Sequence, residues 1–174
     1  LWGRIEDGVD SLQQERENRR FLPGIRLSDT IAATSDLAQA LKGADMVVMA
    51  VPSQSIREVL EKARPYLGKD SCLVNTAKGL EISSGMRMSQ VVEDVLGKQS
   101  REQYAVLSGP SHAEEVARSI PTAITVASYR KEKAFLVQDL YMTPFFRVYT
   151  NPDVAGVELG GALKNIIALG TGIA

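Results

Sequence analysis

The stretch Asp45-Met-Val-Val-Met-Ala-Val51 is an apolar run of strand length, and Pro52-Ser53 directly after it ends the run. A run without polar alternation is typical of a parallel strand that is buried on both faces of its sheet. The residues before it, 36–43, and those after it, 56–67, have apolar residues at helical spacing. A buried strand between two helices predicts one unit of an α/β sheet.

Strands and helices alternate along the rest of the chain. Strands are predicted at 71–77, 104–107, 121–128 and 145–149, and helices at 86–96, 131–142 and 159–174, with a short helix before Pro121. This succession predicts an α/β fold whose sheet is mostly parallel and doubly wound, with helices on both faces. Ligands of such sheets bind beyond the carboxyl ends of the strands.

Composition excludes several classes of protein. The chain has 174 residues, of which 44% are hydrophobic and 24% charged, and a net charge of -1 gives no electrostatic basis for binding nucleic acid or a membrane surface. No apolar run reaches about 18 residues, so no membrane span is predicted. The single cysteine, Cys72, excludes an internal disulfide and fits a reducing compartment. We therefore expect a cytoplasmic protein.

Both termini are predicted to lie inside secondary structure. Leu1-Trp-Gly-Arg4 is typical of the last residues of a strand, and the final helix reaches Ala174 without a C-terminal signal. We expect the chain to be a piece of a longer protein, without the strand and helical domain that would flank it.

One lysine stands in the otherwise uncharged helical run of 159–174. Steps of one helical turn from Lys164 lead to Gly160, Gly161 and Ala168, so a molecule can approach the helix closely around one ammonium group. A lysine kept out of water gives up its proton more readily, which suits an acid catalyst. A tightly packed helix whose lysine extends to water is the alternative. Asn165 lies about 100° further round the helix, in reach of a substrate or of Lys78.

Two more cations follow predicted strands. Lys78 precedes Gly79 at the end of a strand, where it faces either a ligand or solvent. Arg4 stands where NAD-selective folds carry an acidic residue against the adenosine ribose, and an arginine there accommodates a 2′-phosphate. Arg4 therefore favours NADP over NAD, although Glu6 and Asp7 lie close by.

The segment Ser111-His-Ala-Glu114 has the spacing of a capping box. A helix that starts there would either present free N–H groups to an anion or simply be capped by its own side chains. His112, the single histidine, is interpreted as a rim residue. A Ser-His hydrolase is disfavoured because neighbouring side chains diverge on a helix and no nucleophile elbow is present.

Several motifs together closely resemble one family, the bacterial NAD(P)-dependent sn-glycerol-3-phosphate dehydrogenases, over essentially all 174 residues. They follow one another in order: Ala50-Val-Pro-Ser53, Thr76-Ala-Lys-Gly-Leu-Glu81, Leu107-Ser-Gly-Pro-Ser-His-Ala-Glu-Glu-Val116 and Gly156-Val-Glu-Leu-Gly-Gly-Ala-Leu-Lys-Asn-Ile-Ile-Ala168. The resemblance implies a Rossmann-like fold. Residues 1–151 would form part of a dinucleotide-binding domain, and 152–174 the start of a helical substrate domain.

The resemblance also implies roles for individual residues, and no metal. Lys164 corresponds to the proton-transferring lysine and Lys78 to a lysine that touches both substrate and cofactor, NADP or NAD. The remaining correspondences are substrate contacts at Gly109 and Ser111, and cofactor contacts at Arg4, Phe21 and Ala113.

The family interconverts sn-glycerol 3-phosphate and dihydroxyacetone phosphate by hydride transfer, which supplies glycerol 3-phosphate for phospholipid synthesis. The family's first strand with its Gly-rich phosphate loop, and its C-terminal domain with an anion clamp, have no counterpart in this sequence. We therefore expect the chain alone to be inactive or nearly so, and its uncovered surfaces to favour a homodimer or other self-association. Alternatives are a ketopantoate reductase, a β-hydroxyacid dehydrogenase, or a non-catalytic module derived from the fold.

Overall fold

A computed structural model describes residues 1–173 as two sheets with helices packed around the larger one. The strands are β1 Glu17–Asn18, β2 Leu22–Arg26, β3 Met46–Met49, β4 Cys72–Asn75, β5 Tyr104–Ser108, β6 Thr122–Ser128 and β7 Phe146–Asn151. The helices are α1 Val9–Glu15, α2 Leu37–Leu41, α3 Ile56–Ala63, α4 Met88–Leu96, α5 Ala113–Ala117, α6 Lys131–Tyr141 and α7 Val154–Ile173.

The central sheet has the order β3-β4-β5-β6-β7, while β1 and β2 form a separate antiparallel pair. Neighbouring strands of the central sheet are parallel except β5 and β6, which are antiparallel. The prediction of a mostly parallel α/β sheet is confirmed. The apolar run at 45–51 forms β3 as predicted, but its expected burial on both faces is wrong. In the described part of the chain β3 is an edge strand, and Val48 is 43% exposed.

Side chains of the central strands alternate between two cores. Leu73 and Val106 face the side covered by α3 and α4, where Ile56 and Val91 are buried. Val74 and its neighbours face the opposite side, which α6 covers. Every residue of β4 and β5 is buried, as expected for strands covered on both faces. The carboxyl ends of β4 and β5 are thereby held side by side.

The predicted capping box at Ser111–Glu114 is wrong. Helix α5 begins at Ala113, and the residue that caps it is His112, in an extended conformation and without a side-chain cap hydrogen bond. The amide N–H of Ser111 donates instead to the carbonyl oxygen of Gly109 at 2.9 Å. This tight turn places Ser111 one residue too early for its hydroxyl to cap the helix.

The predicted elements at the two ends differ in extent from the observed ones. Trp2 pairs with Thr34 in an isolated parallel bridge, outside the five-stranded sheet. Helix α7 begins at Val154, five residues before the predicted start, because Asp153 accepts a hydrogen bond from the Gly156 amide at 2.8 Å. The predicted end of this helix, at Ala174, lies outside the described residues. None of the helices described within residues 1–173 could span a lipid bilayer.

Candidate active site

The loops that follow β4 and β5 are joined by a lysine. The Nζ of Lys78, three residues after β4, donates to the carbonyl oxygen of Gly109, directly after β5, at 2.8 Å. Both residues lie at the carboxyl edge of the sheet, where doubly wound folds bind their ligands. The sequence placed both residues at this edge.

Close packing fixes the backbone of Gly109. A Cβ atom on this residue would stand 2.9 Å from the Cα of Ile124 and 3.0 Å from its Cγ2. Since the nearer neighbour is backbone of β6, it cannot rotate away. A glycine is therefore required here, and it fixes the carbonyl group that Lys78 contacts.

Helix α7 crosses the same edge through its small residues. A Cβ on Gly161 would lie 2.5 Å from the Oγ of Ser108 and 3.6 Å from the Cγ of Lys78. The neighbouring Gly160 would meet nothing within 4 Å. The small-residue face of the helix does permit close approach at Gly161, where the end of β5 and the stem of Lys78 lie against it.

Lys164 lies one helical turn after Gly161, on the face of α7 that meets Lys78. Partial burial and then the positive charge of Lys164 lower the pKa of Lys78 from its ordinary value of 10.5. Lys164 is half-buried on α7. Neither lysine forms an ion pair with a carboxylate in the described part of the chain. Because both cations lack a carboxylate partner, this edge has a net positive charge available to bind an anion.

Ser108 adds an unpartnered hydroxyl to this edge. It is the last residue of β5 and is 8% exposed, and its Oγ has no hydrogen-bond partner among residues 1–173. A buried hydroxyl without a partner is uncommon, because its desolvation is then uncompensated. The hydroxyl lies against Gly161 of α7, beside the stem of Lys78.

A buried carboxylate anchors α7 in this position. Glu158 accepts hydrogen bonds from the backbone N–H of Ser89 at 2.7 Å, its Oγ at 2.7 Å, Arg87 Nη1 at 2.7 Å and the hydroxyl of Tyr104 at 2.6 Å. Burial, reinforced by the charge of Glu158, raises the pKa of Tyr104 well above its ordinary value of 10. The network ties α7 to α4 and β5, and so fixes the helix that carries Lys164.

No role was predicted for Glu158 from the sequence. A single carboxylate in an apolar helical run is costly to bury unless it is paired, so its presence indicates a buried partner. The partners could not be found from the sequence, since Ser89 and Arg87 precede Glu158 by 69 and 71 residues.

Arg4 contacts the loop that follows it. Its Nε lies 2.7 Å from Asp7 Oδ2, its Nη2 lies 3.2 Å from Asp7 Oδ1, and Glu6 Oε1 lies 3.4 Å from the Nε. The guanidinium group that was predicted to bind a 2′-phosphate is thus already paired with a carboxylate.

The remaining predicted residues lie in looser surroundings. Phe21 is 56% exposed, and the guanidinium carbon of Arg20 is 4.8 Å from its ring centroid. Helix α5, which begins at Ala113, packs beside β2, which begins one residue after Phe21. Ser111 is half-buried, whereas His112 and Asn165 are exposed, and no hydrogen bond joins Asn165 to Lys78 in the described chain.

The donor set at the carboxyl edge fits a phosphorylated ligand. The ammonium group of Lys78 and the unpartnered hydroxyl of Ser108 lie beside the tightly packed Gly109, and Lys164 follows on α7. Charged donors such as these ammonium groups bind phosphate oxygens strongly. No group of residues suited to hold a metal ion occurs within residues 1–173.

The sequence matches one family model, described as "NAD-dependent glycerol-3-phosphate dehydrogenase N-terminus", over residues 1–134. The chain is 95% identical over its whole length to a Syntrophomonas wolfei protein named glycerol-3-phosphate dehydrogenase (NAD(P)+), of which it covers 51%. It is 54% identical to a Carboxydothermus hydrogenoformans protein of the same name, covering 99% of the chain and 51% of that protein. The chain thus spans about half the length of these curated relatives.

Solved structures give the same result. Glycerol-3-phosphate dehydrogenase from Coxiella burnetii matches 99% of the chain and 52% of its own, with a TM-score of 0.89 and 37% identity. The enzyme from Plasmodium falciparum matches 98% of the chain and 48% of its own, at a TM-score of 0.88 and 28% identity. A ketopantoate reductase from Ralstonia eutropha, at a TM-score of 0.60 and 15% identity over 87% of this chain and 48% of its own, shares the fold alone.

Proposed function

The chain belongs to the NAD-dependent glycerol-3-phosphate dehydrogenase family, and from this premise we propose that the protein containing it interconverts sn-glycerol 3-phosphate and dihydroxyacetone phosphate with NADP or NAD. The observation that carries the proposal is the position of Lys78, which binds the Gly109 carbonyl beyond β5 and lies against Gly161 of α7, one helical turn before Lys164. The reaction needs an anion site and a proton donor at one place, and this pair supplies both.

The two lysines have different tasks in the proposed reaction. The bound nicotinamide supplies the hydride chemistry. Lys164 donates a proton to the ketone oxygen, or accepts one from the alcohol in the reverse direction. Lys78, held by the Gly109 carbonyl, contacts both substrate and cofactor, and its charge stabilises the developing oxyanion.

Other residues are proposed to bind and orient the two ligands. Substrate contacts are assigned to Gly109, Ser111 and Asn165 beside Lys78. Cofactor contacts are assigned to Arg4, Phe21 and Ala113 together with Lys78. The packing of α5 beside β2 supports the placing of Phe21 and Ala113 at one cofactor surface.

We assign residues 1–151 to the dinucleotide-binding part and 152–174 to the start of the substrate domain. The domain assignment is supported by α7, whose beginning packs on the sheet at Val154 while its later apolar residues are exposed, for example Ile166 at 64%. The proposed product, glycerol 3-phosphate, would serve phospholipid synthesis in the cytoplasm. The exposed apolar residues of α7 also support self-association of the chain, including a homodimer.

The experiment is an assay of the full-length protein, with oxidation of NADPH or NADH followed by absorbance. Dihydroxyacetone phosphate should be reduced, whereas dihydroxyacetone, which lacks the phosphate, and ketopantoate should not. The 174-residue chain alone should show almost no turnover. Reduction of ketopantoate but not of dihydroxyacetone phosphate would overturn the proposed substrate.

A further inference from the structure

The guanidinium of Arg4, proposed to meet the adenosine end of the cofactor, is held by a carboxylate of the chain itself. Its Nε and Nη2 face the two oxygens of Asp7 at 2.7 and 3.2 Å. Arginine binds a phosphate group through the same bidentate arrangement of two N–H donors. The same two N–H donors cannot serve Asp7 and a phosphate at once.

The pair is built into the local backbone. A short 3₁₀ turn, Ile5–Asp7, returns the chain so that Asp7 lies over Arg4, and Gly8 ends the turn with a φ of 80°. The residue after the turn, Val9, is buried and packs against Gly3. A Cβ atom added to Gly3 would lie 3.3 Å from the side chain of Val9, so this packing fixes the turn. The chain therefore presents Arg4 and Asp7 as a preformed pair.

The charges around Arg4 are mostly negative. The hydrogen bond from Arg4 lowers the pKa of Asp7, so Asp7 is ionised at neutral pH. Besides Asp7, the carboxylates of Glu6 and Glu58 also act on Arg4 and raise its pKa. A 2′-phosphate that approaches Arg4 therefore enters a region where carboxylates already neutralise the cation. The uncharged 2′-hydroxyl of NADH meets no such competition.

We propose that Asp7 shifts the cofactor preference of the protein towards NADH, because it competes with the 2′-phosphate of NADPH for the guanidinium of Arg4. The inference rests on the proposed function and adds a residue that contributes to its cofactor selectivity. NADPH must separate the Arg4–Asp7 pair to gain its phosphate contact, whereas NADH leaves the pair intact. The side chains of Arg4 and Asp7 are 56% and 36% exposed, so their ion pair is weak. A phosphate group can therefore displace Asp7, and the pair lowers the affinity for NADPH without preventing its binding.

The test uses Asp7→Asn in the full-length protein, a change that keeps the shape of the side chain and removes its charge. Dissociation constants of NADPH and NADH are measured by titration calorimetry in the absence of substrate. We expect NADPH to bind roughly two- to five-fold more tightly, the range of an exposed ion pair, and NADH to bind unchanged. The gain should shrink in high salt, because exposed charges are screened.

The matched control is Asp10→Asn. Asp10 is an exposed carboxylate three residues further on, in α1, and it forms no ion pair in the described part of the chain. This variant makes the same change of net charge and should leave the ratio of the two dissociation constants unchanged. A double-mutant cycle adds Arg4→Gln, in which Asp7→Asn should no longer affect NADPH.

Each outcome decides the inference. Equal effects of Asp7→Asn and Asp10→Asn, an effect that persists in Arg4→Gln, or no change in NADPH binding would overturn it while the proposed function stands. A wild-type protein that binds neither cofactor would overturn the proposed function, and the role of Asp7 with it.

Discussion

Lys78 is the residue whose titration reports most directly on the site. Its pKa is lowered first by burial and then by the charge of Lys164. In Lys164→Met the pKa of Lys78 should rise part of the way back towards 10.5, because the repulsion is removed and the burial remains. The measurement is a ¹³C NMR titration of the lysine ε-carbons.

The control is Lys131→Met, which removes a lysine stacked on Phe135 at the surface of α6 and should leave the titration of Lys78 unchanged. An unchanged pKa of Lys78 in Lys164→Met would show that the two ammonium groups do not meet.

The lowered pKa of Lys78 also makes the stability of the fold depend on pH. Because the unfolded chain binds this proton more tightly, the free energy of unfolding should rise with pH between the lowered pKa and 10.5, and Lys78→Met should remove that rise.

At the scale of single elements, two adjacent glycines of α7 should behave in opposite ways. Gly161→Ala places a methyl group 2.5 Å from the buried Oγ of Ser108 and should lower the free energy of unfolding by about 1–3 kcal/mol. Gly160→Ala meets nothing within 4 Å and should raise it by about 0.5–1 kcal/mol, because alanine favours the helix. Chemical denaturation of both variants gives the comparison, and equal effects would contradict the close packing of α7 on β5.

The anchor of α7 makes a second prediction at this scale. Glu158→Ala leaves the 21%-exposed guanidinium of Arg87 without its carboxylate, and the loss of one partner of a buried pair costs roughly 3–5 kcal/mol. Glu114, exposed in α5, is the matched control, and Glu114→Ala should change the free energy of unfolding by less than about 0.5 kcal/mol. Thermal or urea unfolding distinguishes the two. A cost of Glu158→Ala no larger than that of the control would mean that the network does not hold the helix.

The sequence predicted the elements well and their contacts less well. Apolar runs and helical spacing located β3 to β7 and the larger helices, because burial on the faces of a sheet leaves a periodic signal. The same signal placed Lys78 and Gly109 at one edge. It could not show that a turn after Gly109 displaces Ser111 from its capping position, or that Asp7 folds back onto Arg4, since both depend on backbone angles of short loops.

At the scale of the whole molecule, two apolar surfaces of the described chain are open, one beside β3 and one on the later part of α7, and the second carries Lys164. A cavity of about 510 Å³ runs beside the edge strand β3, between Leu1 and Leu67, and Val48 is 43% exposed there. The later part of α7 carries Lys164 beside apolar residues that are open to solvent, among them Leu163 and Ile166. Lys164 is thus positioned by the chain but only half-buried in it.

The central claim is that Lys164 transfers the proton in the reaction of the full-length protein, and Lys164→Met tests it most directly. Turnover of dihydroxyacetone phosphate should fall by roughly 10²–10⁴-fold, the usual contribution of a general acid, while the dissociation constant of NADPH measured by calorimetry stays nearly the same. A variant that retains more than about a tenth of wild-type turnover, with its cofactor bound, would contradict this account of the site.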